Sequence, residues 1–396
     1  MITREQALRH LAELPPLGDL ELVPLVDCAG RVLAEDVHAT LTRPPAAMSA
    51  MDGYAVRRED AEAGAALQVI GESPAGAPFS GNVGARQCVR VFTGSVIPDG
   101  LDHVVIQEDV SREGETIFIQ TPLDNSRNIR AAGIDFFEGD VLVHAGTRIG
   151  PAHLSLCAAA NHAHLPVRRR PKVGLLTNGD ELRPPGSALL PGQIISSNEY
   201  ALQVLIRDWG ADPVNLGTAR DDPEDIRKRI EGAFDLDVLV PIGGASVGDH
   251  DHMKSVFAEL GFEPVFSKVA VQPGKPTWHS RRGAQSVLGL PGNPASALVC
   301  AHLFLRPLLQ GLLGQNTTRQ WVSGRLTAAI PANGQREAFL RGNLDTEVDG
   351  TANITPAPNQ DSSLLRPFVT ANVMIHRPPG APALEPGGRV EGILLS

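Results

Sequence analysis

From Lys172 to Gly314 the sequence alternates short apolar runs with amphipathic stretches, and this alternation limits the fold more than any other feature. VGLLT (173–177) precedes SNEYALQVLIRDW (197–209), and DPVNLGT (212–218) precedes DPEDIRKRIEGAF (222–234). DVLVPIG (237–243) precedes HMKSVFAEL (252–260), and SVLGL (286–290) leads into a helix opened by Pro294. Apolar strands alternating with helices that carry one apolar face predict a parallel sheet covered on both sides. The run from Pro294 to Gly314 is the most apolar in the chain, but His302, Arg306 and Pro307 interrupt it. It reads as a buried helix rather than a membrane span.

The flanking regions have a different texture. Thr3 and Gln6 have capping-box spacing for a helix running through Leu14. From Leu22 to about Gly150, short alternating runs are broken by Gly, Pro and Asn, as in CVRVFTG (88–94), HVVIQEDV (103–110) and ETIFIQT (115–121). These predict strands. Pro44-Pro45 marks a boundary, PAHLSLCAAAN (151–161) reads as a short helix, and VRRRPK (167–172) reads as a connector. After about residue 318 the β texture returns, with Pro-Gly turns.

At 396 residues, with 42% apolar and 20% charged residues, the chain has globular composition, and about two to four domains are expected. Cys28, Cys88, Cys157 and Cys300 are scattered, so neither a disulfide framework nor a zinc site is expected. A net charge of −10 argues against a nucleic-acid surface. MITREQALRHLAEL has no apolar signal core. A cytoplasmic protein without nucleic-acid or membrane partners is expected.

Ligands of a doubly covered parallel sheet bind beyond the carboxyl ends of its strands. Three unusual loops fall there: TNGDEL (177–182), GGASVGDHDHMK (243–254) and LPGNPASA (290–297). Gly243, Gly244 and Gly248 permit close approach of a ligand to the backbone, and Ser246 offers a hydroxyl. Asn293 and Pro294 are placed to start a helix whose free N–H groups face an anion. Carboxylates beside phosphate-binding loops imply Mg²⁺, and Asp180, Glu181, Asp221 and Asp251 are the candidates. Helix capping is the stronger reading for Asp221, an equal one for Asp249 and a weaker one for Asp251. His250 and His252 read as surface residues, because no third nitrogen or sulfur ligand lies nearby. Lys275, pinned in Gln-Pro-Gly-Lys-Pro, suits an oxyanion or is simply solvated. Asp52, Thr93 and Asp135 sit in mild turn sequences that carry little weight individually.

Taken in order, SAMDGYAV (49–56), VFTGSVIPDGLDHVVIQED (91–109), NIRAAGIDFFEGDVLVHAGTRIGP (128–151), NGDEL (178–182), SSN (196–198), GGASVGDHDHMK (243–254), PGKP (273–276) and LPGNPASAL (290–298) resemble the molybdopterin molybdenumtransferase family. That family comprises bacterial MoeA and the E domains of gephyrin and its plant counterpart. The resemblance implies a multidomain α/β plus β fold. Its parts would be a small helical/linker domain (1–26 with 141–171), a β-rich middle domain carrying SAMDGYA (27–140), a MogA-like parallel-sheet α/β domain (172–317) and a C-terminal β domain (318–396). It implies a homodimer whose active cleft lies between the α/β domain of one subunit and the SAMDGYA domain of the other. The implied substrates are adenylylated molybdopterin and molybdate. Mg²⁺-dependent pyrophosphate cleavage would release AMP and yield molybdenum cofactor. A MogA-type adenylyltransferase and apo-molybdoenzymes are the further partners implied.

Carried over by position, the catalytic set is Asp52, Asp135, Glu181, Asp221, Asp251 and Lys275, with Glu181, Asp221 and Asp251 holding the metal. Thr93, Gly243, Gly244, Ser246, Gly248, Asp249, Gly292, Asn293, Ser296, Arg336 and Ser362 would bind substrate. The sequence departs from the family pattern at Gln272, where a lysine is usual, at Asn178 in place of threonine, at Trp278-His279-Ser280 and at Pro367. The alternative implied by the lost lysine is a non-catalytic or specialised paralogue acting as a scaffold.

Overall fold

The structure is a computed structural model that describes residues 1–123, 125–244, 252–315 and 321–395. The α/β domain is built on a sheet in the order Asp212–Ala219, Lys172–Asn178, Val238–Ile242, Gln285–Gly289, Trp278–Arg282, Glu263–Phe266. The first four strands are parallel, as expected. The last two run antiparallel to their neighbours, so the sheet is mixed rather than wholly parallel. The cause is local. Arg282 pairs with Gln285 across Gly283-Ala284, and a two-residue loop reverses the chain where a parallel crossover needs a dozen residues or so.

Both faces of the sheet are covered, because alternate strand residues point to opposite sides. Val173, Leu175, Val238 and Val240 pack with Leu202, Ile206 and Val299, while Leu176 and Leu239 pack with Ile226, Met253 and Phe257. The helix that begins at Pro294 runs through a π segment, Ala301–Leu305, into Arg306–Leu312. Pro307 has no N–H for the Leu303 carbonyl, and the wider turn accommodates that loss. Its length and hydropathy would allow a membrane span, but 78% of that apolar window is buried within the fold.

The amino-terminal helix is Arg4–Ala12, shorter than expected, and Thr3 and Gln6 cap it reciprocally. Its Ala7 and Leu11 lie in the α/β core, so this helix packs on the α/β domain. The small helical unit therefore takes its core from further along the chain than residue 26: Cys28, Leu33 and Val37 pack with Val143, Ile149, Cys157 and Val167. Leu20–Pro24 pairs with His164–Arg168, which places Val167 and Arg168 in a strand instead of a connector.

The middle β region is a six-stranded sheet ordered His103–Ile106, Gly53–Val56, Gln87–Val91, Ala66–Ser73, Thr116–Ile119, Val110–Glu113. HVVIQEDV thus divides around a 3-10 turn at Gln107–Asp109. The carboxyl-terminal strands Trp321–Leu326, Glu337–Thr346, Ala352–Pro356, Val373–Arg377 and Arg389–Leu394 close into a barrel. Val271–Gln272 pairs with Glu337 and Ala338 and so stitches this barrel to the α/β domain.

Candidate active site

The strands Lys172–Asn178 and Val238–Ile242, together with the loop after Gln285–Gly289, open into a cleft of about 580 Å³. Glycine lets two of its loops meet. Gly243 has φ +89°, and a Cβ there would stand 2.9 Å from the Asn178 carbonyl oxygen. Asn178 is 6% exposed and donates from Nδ2 to Asp221 Oδ1. Its own Oδ1 is buried without a partner, as is that of Asn198, whose Nδ2 donates to the Gly292 carbonyl at 2.8 Å. Both asparagines line the cleft. Buried acceptors are normally satisfied, so this pair offers hydrogen-bonding capacity to a ligand.

Carboxylates gather behind Asn178. The Asp221 N–H donates to Asp180 Oδ1 at 3.4 Å, and Glu181 folds back until a Cβ on Gly179 would lie 2.5 Å from its Oε2. Asp222 caps the following helix through the Glu224 N–H, so capping falls to Asp222 and leaves Asp221 to Asn178. Among the described residues no group of three or more His, Cys, Asp or Glu is close enough to hold a metal. Ser246, Gly248, Asp249, His250 and Asp251 lie outside the described residues.

The barrel supplies another wall. Asn293 does not cap its helix; it donates from Nδ2 to Ser362 Oγ at 2.9 Å, and the Ala295 N–H donates to the Ser362 carbonyl at 3.0 Å. One N–H group expected to be free for an anion is therefore already bonded. Ser362 stands behind the cleft, whereas Ser363, Ser296 and Gly292 line it. Lys275 is exposed, and its neighbour Pro276 forms part of the wall. Beneath that loop, Gly274 (φ +126°) packs so tightly on Cys300 that a Cβ would sit 2.2 Å from Sγ.

Asp52 and Thr93 meet elsewhere, on a rim of the middle domain. Asp52 Oδ1 accepts from Thr93 N at 2.7 Å and Thr93 Oγ1 at 2.9 Å, and these bonds hold its carboxyl below the usual range. Pairing of Met48–Ser49 with Ile129–Arg130 brings the rim together. Asp135 stands 3.4 Å from Arg43 Nε. Within one chain, Asp52, Thr93 and Asp135 are not part of the cleft lining.

The sequence matches models of the MoeA N-terminal region (domains I and II) over residues 2–161, a probable molybdopterin binding domain over 174–311, and the MoeA C-terminal region (domain IV) over 323–395. A molybdopterin molybdenumtransferase of Nostoc is 36% identical across 87% of this chain and 81% of its own. The chain belongs to the molybdopterin molybdenumtransferase family. The Haemophilus influenzae molybdopterin molybdenumtransferase is 34% identical over 95% of this chain and 94% of its own. A MoeA crystal structure from Pyrococcus horikoshii superposes with a TM-score of 0.86 at 32% identity, covering 100% of this chain and 99% of the other. As a transferase of the MoeA family, the chain shares that multidomain fold, with its mixed sheet and closed carboxyl-terminal barrel. Asn178, Asn198 and Ser363 of this family member were not singled out as site residues from sequence. The signals available were NGDEL, the SSN before a helix, and the serine pair after Asp361.

Proposed function

We propose that this chain inserts molybdenum from molybdate into adenylylated molybdopterin, in a Mg²⁺-dependent step that cleaves the pyrophosphate bond and releases AMP. The names of the relatives supply molybdopterin and molybdenum. The observation carrying the diphosphate reading is the corner at Asn178, where an unpartnered amide oxygen and clustered carboxylates lie at the strand ends.

By donor type the corner would suit Mg²⁺, although the described carboxylates do not by themselves form a group able to hold it. Carboxylate oxygens of Glu181 and Asp221 and the orphaned Asn178 Oδ1 are hard ligands, with no imidazole or thiolate among them. Glu181 and Asp221 would hold the ion, joined by Asp251, and bound there it neutralises diphosphate charge. The remaining task is positioning, which dominates phosphoryl chemistry. Ser296, which lines the cleft, offers a hydroxyl to a phosphate oxygen. Lys275 and Arg336 balance the charge of molybdate. Gly243 and Gly292 keep the backbone low enough for a ligand to approach.

Asp52, Thr93 and Asp135 fit this account as groups contributed by a second copy, each homodimer having two composite clefts. An adenylyltransferase would supply the substrate in the cytoplasm, and apo-molybdoenzymes would take the product. Incubation with adenylylated molybdopterin, molybdate and Mg²⁺ tests the proposal. AMP release together with reconstitution of an apo-molybdoenzyme is the expected result, and binding without AMP release contradicts it.

A further inference from the structure

Arg341 lies in the barrel strand Glu337–Thr346 and has no exposed surface (0%). Arginine is almost never fully buried unless it is paired. Here Nη2 donates to the Asp361 carbonyl at 2.9 Å and the guanidinium lies 5.8 Å from the centre of the Phe368 ring, while Nε and Nη1 are buried without hydrogen-bond partners. Gln360 fastens to the backbone of the same residue from both sides. Its Oε1 accepts from Arg341 N at 2.9 Å, and its Nε2 donates to the Arg341 carbonyl at 2.9 Å. Asp361 then closes the turn, its Oδ1 accepting from Ser363 N at 2.8 Å and Ser363 Oγ at 2.6 Å. The residue between them, Ser362, receives the Ala295 N–H and the Asn293 side chain from the α/β domain.

A buried guanidinium with two orphaned donors weakens a fold rather than strengthening it. What it does secure is the placement of residues 360–364. We infer that Arg341 and Gln360 are positioning residues, which together seat this turn against the start of the Pro294 helix and so fix the cleft wall formed by Ser363. Neither residue touches the cleft itself, and both act through the turn. The effect on turnover rests on the function proposed above, whereas the seating of the turn does not.

The test uses the full-length chain, with Arg341→Met and Gln360→Ala. Three quantities are compared with wild type: thermal stability, exchange of the Ala295 amide, and KM against kcat for adenylylated molybdopterin. Arg341→Met removes a buried charge at similar volume, so its Tm is expected to be unchanged or higher. Loss of the charged hydrogen bond should speed Ala295 exchange by about 10-fold or more and raise KM by about 10-fold, with kcat little changed. Gln360→Ala should move exchange and KM in the same direction, which keeps the inference testable if the methionine variant fails to fold. Unchanged Ala295 exchange in the folded variants, or a lower Tm with KM unaltered, would overturn it. If wild type shows no turnover, the function proposed above fails, and the exchange measurement still decides the seating.

Discussion

Arg336 donates from Nη2 to Gln272 Oε1 at 3.2 Å and from Nη1 to the Val271 carbonyl at 3.3 Å. The residue standing where the family usually has a lysine is thus engaged by an arginine of the barrel. Both groups lie beside the loop that carries Lys275. Gln272→Lys adds a cation there and should lower the molybdate concentration giving half-maximal turnover by roughly 5- to 100-fold, the scale of one charge-assisted hydrogen bond. Arg336→Ala should raise it by a similar factor. A molybdate requirement unchanged in both variants would remove this pair from the oxyanion site.

Asn178 links the strand end to Asp221. Asn178→Ala should raise the Mg²⁺ concentration needed for AMP release and slow turnover by about 100-fold, in line with losing an oriented polar contact in a preorganised site. Its unfolding free energy should fall by only about 1 kcal/mol, because one hydrogen bond is lost. Normal Mg²⁺ dependence in this variant would show that the corner does not hold the ion.

Gly274→Ala tests the seat of the Lys275 loop. At φ +126°, with Cys300 Sγ 2.2 Å from the new Cβ, the substitution meets both strain and overlap. Urea unfolding should show a loss of about 2–4 kcal/mol. Adding Cys300→Ala should recover the part due to overlap and leave the part due to backbone strain. No recovery would locate the whole cost in the backbone.

His279 gives a pH signature. It is 1% exposed, and its Nε2 shares a 2.8 Å hydrogen bond with Ser286 Oγ. Burial, followed by Arg281 and His10, pulls its pKa from 6.5 down to about 4. Because the folded pKa lies below the unfolded one, the unfolded chain takes up a proton first as pH falls. Stability due to this group is therefore full above 6.5 and lost progressively down to about 4. At pH 5 the loss relative to pH 7 is about 2 kcal/mol. His279→Gln should reduce the pH 7-to-5 difference in unfolding free energy by that amount; an identical pH dependence would show the ring to be solvated.

The alternating α/β segment was legible because its signals are local: period, caps and glycines at strand ends. The Arg282–Gln285 hairpin was not, since Gly283-Ala284 lacks the Asn-Gly or Asp-Gly signature of a tight hairpin. The amino-terminal helix was readable from Thr3 and Gln6, but its docking on the α/β core depends on Ala7 and Leu11 meeting side chains hundreds of residues away. Gly243, Gly244 and Gly292, which line the cleft, lie in loops that strand-end placement singles out, whereas Asp221 reads from the Asp-Asp-Pro turn, where helix capping is the stronger reading. Ser363 and Arg341 were not legible, because an arginine in a β strand ordinarily reads as solvent-facing and only the closed barrel buries this one.

The central claim is that each cleft is completed by the rim of a second copy. It is tested by co-assembling Asp52→Asn chains with Asp221→Asn chains in equal amounts and measuring AMP release from adenylylated molybdopterin. A mixed dimer then has one cleft in which an intact Asp221 faces an intact Asp52. The mixture should therefore reach about one quarter of wild-type activity, although each variant alone is nearly inactive. A mixture no more active than the separate variants would contradict the account.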